Sequence, residues 1–315
     1  MKARSILHYS VALLLLTACS SDDDTSQVWN GEIRLKAIEA ETTRATTTVQ
    51  GTQFGIGQRV AVFINEHDYD ATADDKTDYP QPLLFSVADN YGTLQPYGGS
   101  APYFPTNTEH GIDVYATYPS TVTGVGTFSV KAQQNTDADY MASDLMYGVT
   151  AATVMRTEST VPLTFRHQLA KVVVRIEAAS GSPQFGGATV RLLRMKTQVP
   201  ITKCDLEGMT IGEATGSTSD IVMTYNYEYD EAAPEANVGC AAVIVPQTLN
   251  EGRFIRITQT DGTSMFYRLH EPMTFEAGKV YTYVINVYQN SFTVNGEVAI
   301  WDDSDEELSA EIETE

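Results

Sequence analysis

Apolar and polar residues alternate along most of this chain with a period of two. Trp29, Gly31, Ile33, Leu35 and Ala37 interleave with Asn30, Glu32, Arg34 and Lys36. Successive side chains of a strand point to opposite faces, so this pattern predicts a half-buried first strand. The same rhythm predicts strands over 59–64, 83–87, 112–118 and 125–130. Beyond a polar stretch near Arg156 it resumes over 161–176, 189–196, 221–229, 240–245, 254–259, 265–269 and 280–287. The chain ends on two further alternating runs. One carries Phe292, Val294, Val298 and Ile300 and leads into Trp301; the other carries Leu308, Ala310 and Ile312. Only residues 139–148 suggest a helical turn.

Many short strands, separated by turn signals such as Asp261-Gly262, indicate an all-β chain of sandwich type. A parallel α/β sheet would need amphipathic helices between the strands, and the pattern supplies none. The polar stretch before Val161 sets an expected division into 45–158 and 159–315, two β-sandwich domains.

The N-terminal segment obeys a different rule. Lys2 and Arg4 precede the apolar run Val11 to Leu16, which is shorter than the ~20 residues a membrane-spanning helix requires. That layout reads as a signal peptide over 1–18. The cut site Leu16-Thr17-Ala18-Cys19 resembles the lipobox of bacterial lipoproteins, so Cys19 is the expected lipidation site. Its acyl chains would each contribute ~0.8 kcal/mol per buried CH₂ towards anchoring in the outer membrane. The Ser-Ser-Asp-Asp-Asp run that follows resembles the export tag of surface-displayed lipoproteins, and it also reads as a solvated tether. Residues 19–44 then hold the first strand and a polar, β-branched loop around Arg44 and Ala45 with no apolar anchor.

Charge narrows the partners. A formal net charge of −21 repels phosphate backbones and makes nucleic acid an unsuitable partner. No phosphate-binding loop, dinucleotide fingerprint, HExxH or GxSxG occurs. His67, His110, His167 and His270 are too widely spaced for paired metal ligands and read as loop or core residues. The acidic run from Asp302 to Glu307 lacks the glycine and ligand spacing of a calcium loop. The chain is therefore expected to be non-enzymatic, with no catalytic residue, metal or cofactor. Cys204 and Cys240 remain once Cys19 is set aside; an exported pair can form a disulfide, and two buried free thiols are the other reading.

Several pieces in order resemble the fimbrillin family, the type V pilins of Bacteroides-like bacteria. They are the lipobox, the first strand and its arginine loop, FGIGQRVAVF at 54–63, DVYATYP at 113–119, and Asp144-Leu145 leading to LTFRHQLAKV at 163–172. VPQ at 245–247, FEAGKVYTY at 275–283 and the closing strand to Trp301 complete the series. The resemblance spans essentially the whole chain, with Gly57-Gln58 standing where the family often has Gly-Asp.

The resemblance implies two tandem transthyretin-like Greek-key β-sandwiches, export as a lipoprotein and cleavage between Arg44 and Ala45. It further implies that the strand carrying Trp29, Ile33, Leu35 and Ala37 is displaced. Three large apolar side chains at ~1.5–3 kcal/mol each would leave the sheet short by roughly 5–9 kcal/mol. A terminal strand of another subunit then refills the groove, Phe292, Val294, Val298, Ile300, Leu308 and Ile312 being the candidate donor positions. The implied partners are other pilin subunits in a head-to-tail polymer, the outer membrane through the lipid, and host or bacterial surface ligands. A pilus tip adhesin, or a monomeric surface lipoprotein binding glycan or host protein, is the alternative.

Overall fold

The computed structural model describes residues 29–39, 54–67, 77–178, 185–225, 237–287, 292–301 and 307–308. Cys19, Arg44, Ala45 and Ile312 lie outside the described residues.

The first half contains β1 (Leu35–Glu39), β2 (Arg59–Glu66), β3 (Leu83–Val87), β4 (Thr93–Pro96) and β5 (Ile112–Tyr118). It continues with β6 (Gly126–Ser129), the helix α1 (Asp137–Ala142), β7 (Met146–Val149) and β8 (Val161–His167). In hydrogen-bonded order β1, β4, β3, β2, β5, β7 and β8 close into a barrel. The all-β class is as expected, and in this half the expected sandwich closes on itself. Closure arises because β1 runs parallel to β8 and antiparallel to β4, joining the two ends of the sheet. The run in β2 is buried continuously from Val60 to Ile64. Its second face is covered too, because Phe63 stacks on Tyr115 with ring centroids 4.5 Å apart.

The helix is a single capped turn. The Thr136 hydroxyl accepts from the Asp139 amide, and Asp137 and Asp139 place negative charge in the first turn. Ser143 ends it, and the remainder of the expected helical stretch is the strand β7, which pairs with β5 and β8.

The second half begins with β9 (Ala170–Ala178), β10 (Thr189–Asp205), β11 (Gly208–Ile211), β12 (Thr215–Val222) and β13 (Thr224–Tyr225). Next come β14 (Asn237–Ile244), β15 (Gln247–Leu249), β16 (Gly252–Thr258), β17 (Ser264–Leu269) and β18 (Met273–Phe275). β19 (Lys279–Val287), β20 (Phe292–Ile300) and β21 (Glu307–Leu308) close the chain. One sheet orders β11, β10, β16 and β17, with β12 and β6 also on β10; the other orders β13, β14, β9, β19, β20 and β21. Val172, Val174, Leu192, Phe254, Ile255 and Tyr283 are buried in one cluster supplied by both sheets, as in a packed sandwich.

The chain passes from barrel to sandwich at Gln168 and Leu169, between β8 and β9. β8 completes the barrel before that crossing. β6 crosses in the other sense, pairing with β10 from Gln198 to Ile201. The buried Gln134 side chain bonds both the amide and the carbonyl of Val243. Residues Gly31–Glu315 accordingly form one compact unit.

Candidate functional site

The N-terminal segment is seated residue by residue. Ile33, Leu35 and Ala37 are 2%, 1% and 5% exposed, while Arg34 between them is exposed. The strand lies against β8 in register from Leu35 opposite Val161 to Glu39 opposite Phe165. On its other side Leu35 faces Leu94 and Lys36 faces Thr93 of β4. Further backbone bonds extend this seat: Ile33 N–H to Pro102 O at 2.8 Å, Ala37 N–H to Gly92 O at 2.8 Å, and Val161 N–H to Arg34 O at 2.7 Å. Phe104 N–H donates to Gly31 O at 2.9 Å.

Two glycines set how close this segment can lie. Gly31 has φ +96°, and a Cβ there would fall 2.4 Å from the Arg156 guanidinium. Gly92 has φ +79°, and a Cβ there would fall 2.2 Å from the Ala37 carbonyl oxygen. Sequence reasoning missed both, together with the acceptor residues Val161, Leu163 and Phe165. The last three were legible as an alternating strand, yet nothing in their spacing named β1 as the neighbour. Trp29 was expected on the first strand. It is half-buried and precedes β1, which begins only after the left-handed turn at Gly31.

The expected donor positions lie at the other end of the barrel-sandwich chain. β20 pairs with β19 along its whole length, from Phe292 opposite Val287 to Ile300 opposite Lys279. Val294 is 1% exposed, and Val298 packs half-buried against the core. Trp301 is buried, donates its backbone N–H to Gly278 O, and stacks its ring on His167 with centroids 3.8 Å apart. The His167 ring in turn bonds Asp144 at 3.0 Å. β21 is attached by two residue pairs, Leu308 with Val298 and Glu307 with Ala299.

Cys204 and Cys240 do not form a disulfide; both are free. Cys204 is half-buried on β10, and burial together with Asp205 raises its pKa. Cys240 is buried on β14, where desolvation pushes its thiol up to about 12. A thiol held protonated is a poor nucleophile for exchange. Among the described residues no group of His, Cys, Asp and Glu is placed to hold a metal ion. His67 bonds the Asp113 carboxylate at 2.6 Å, and His110 bonds the Glu66 carboxylate at 2.5 Å. Burial raises the pKa of Glu66, but bonds from Thr77 and His110 outweigh it and hold the carboxyl below its ordinary value.

Comparison with known proteins supplies the context for this arrangement. Residues 43–301 match the profile of fimbrillin-like proteins. No curated protein matches the sequence. A crystal structure of a candidate cell-adhesion protein from Bacteroides uniformis superposes with a TM-score of 0.60 at 20% identity, covering 87% of this chain and 100% of that one. A second, from Bacteroides ovatus, superposes with a TM-score of 0.64 at 16% identity, covering 86% and 97%. At these identities the likeness is one of fold.

Proposed function

This chain belongs to the fimbrillin-like family, and we propose that it is an exported lipoprotein whose first strand is cut away and replaced by a neighbour's. A fimbrial subunit role at the cell surface follows from the family; the lipid, the cut and the exchange are our reading. Cys19 carries the lipid that holds the precursor in the outer membrane. Cleavage falls between Arg44 and Ala45, and the partners are further subunits added head to tail.

The observation that carries this reading is the position of β1. It closes the barrel between β8 and β4, and it is joined to the rest of the chain through the polar stretch holding Arg44. Losing it would expose the edges of β4 and β8 and the pocket that takes Ile33, Leu35 and Ala37. Exposed apolar edges favour strand addition, and directional addition that does not close produces a filament. The donor is a terminal strand, either β20 or the run from Leu308 to Ile312. β21 has two pairs to release, whereas β20 has nine and the Trp301 seat as well.

That seat favours a second reading, in which the subunit keeps β20 in its own sheet and stands at a pilus tip or acts as a monomeric binder. Arginine-specific proteolysis of the folded chain separates the two. The strand-exchange reading predicts a first cut after Arg44, a stable core beginning at Ala45, and ladders of assembled subunits; Arg44→Ala protein stays monomeric. A cut core that remains a single species supports the tip or monomeric reading. Export is tested separately: Cys19→Ala should abolish labelling by a fatty-acid probe, and equal labelling would overturn the lipoprotein reading.

A further inference from the structure

Beside β3 and β4 the barrel carries an open cleft of about 700 Å³ whose lining includes Tyr79, Tyr97 and Tyr103. A volume of several hundred Å³ suits a small ligand or a few units of a polymer. Tyr97 and Tyr103 are 42% and 45% exposed, and Leu84 of β3 is 38% exposed. Ile56 and Tyr91 elsewhere in this half are also exposed, but Tyr97 and Tyr103 are exposed rings that line one cleft together.

The Tyr97 ring and the backbone that carries Tyr103 are held in place. The Arg59 guanidinium lies 3.7 Å from the centroid of the Tyr97 ring, and Tyr97 N–H donates to Leu84 O at 2.8 Å. Tyr79 donates its hydroxyl to the Tyr103 carbonyl at 2.8 Å. Tyr103 also bridges to Glu32, and its neighbours Pro102 and Phe104 bond Ile33 and Gly31. Fixed rings lose little freedom when a ligand arrives, so less of the contact energy is spent on ordering.

We infer that this cleft is a binding site for a neutral carbohydrate, stacked on the tyrosine faces with its hydroxyls at the polar edge formed by Asp78 and Ser100. The cleft residues and the charge select this class. An aromatic face carries negative charge density and attracts the C–H face of a sugar ring. Carboxylate and hydroxyl groups at the edge exchange hydrogen bonds with the sugar hydroxyls. The net charge of −21 disfavours anionic ligands, and Arg59 is already engaged on Tyr97. A peptide joining as a strand has no edge to join here, because β3 and β4 are each paired on both sides within the barrel. The inference stands apart from strand exchange, since it needs only the uncut monomer.

Saturation-transfer NMR tests it with the full chain and neutral hexasaccharides of α-glucose, β-glucose, mannose and galactose. The expected result is transfer to the ring C–H protons of at least one sugar. Tyr97→Ala combined with Tyr103→Ala should weaken that binding by about tenfold or more, and Tyr97→Phe, which keeps the face, by less than roughly threefold. Unchanged melting temperatures separate loss of binding from loss of fold. No transfer to any of the sugars overturns the inference, as does binding that survives the double variant. Transfer to a decaproline peptide in place of the sugars would also overturn it, reassigning the cleft to proline-rich partners.

Discussion

Gly92 limits how near the turn between β3 and β4 can come to β1. It sits at φ +79° with the Ala37 carbonyl against its α-carbon, and Ala37 N–H bonds its oxygen. Gly98 has a similar φ of +75° but open space around it. Gly98→Ala should therefore cost only the left-handed strain, about 1–2 kcal/mol. Gly92→Ala adds a steric collision and should cost at least about 1 kcal/mol more, read as the difference in thermal or denaturant stability of the two variants. Equal costs would mean that β1 is not seated against Gly92 as described. Such a requirement is invisible in the sequence, because the colliding atom belongs to a residue far earlier in the chain. The readings of Cys19 and Arg44 rest on their local sequence alone, since both lie outside the described residues. The cysteine pair shows the limit of counting, since Cys204 and Cys240 are both free in the fold and lie on different sheets.

Strands with strict alternation were readable at the level of elements. β3, β5 and β20 run over the residues their patterns indicate. β4 was not, because only Leu94 of its four residues is buried and Pro96 ends it. β10 was read only to Lys196, yet it continues to Asp205. Register shifts after Leu192, Lys196 and Ile201, and a left-handed Arg194, let it pair with β16, β12, β6 and β11 in turn while breaking the simple period. The two terminal strands also differ in what they hold. Deleting 308–315 removes one of the two residue pairs of β21 and should cost less than about 1 kcal/mol. Val294→Asp places a carboxylate at a 1% exposed site of β20 and should cost about 3 kcal/mol or more. Thermal melts of both variants check this. A large loss on tail deletion would make those residues part of the subunit's own fold and remove them as a donor.

The whole molecule couples a closed barrel to a sandwich, and its sequence displayed the all-β class without displaying the closure. Alternation states which face of a strand is buried but not which strand lies beside it. The parallel seat of β1 on β8 is a pairing of that hidden kind. Ile33, in the segment that leads into β1, and Leu35 contribute most of the burial, about 3–6 kcal/mol, and in the proposed account this keeps the uncut protein monomeric. In that account, cutting after Arg44 frees the strand to leave, and a donor then restores both pairing and burial. Native mass spectrometry of the assembled species after arginine-specific cleavage tests this most directly. The account predicts masses that are whole multiples of residues 45–315, with the released N-terminal fragment absent from every assembly. Assemblies that retain the fragment, or that form equally from Arg44→Ala protein, would contradict it.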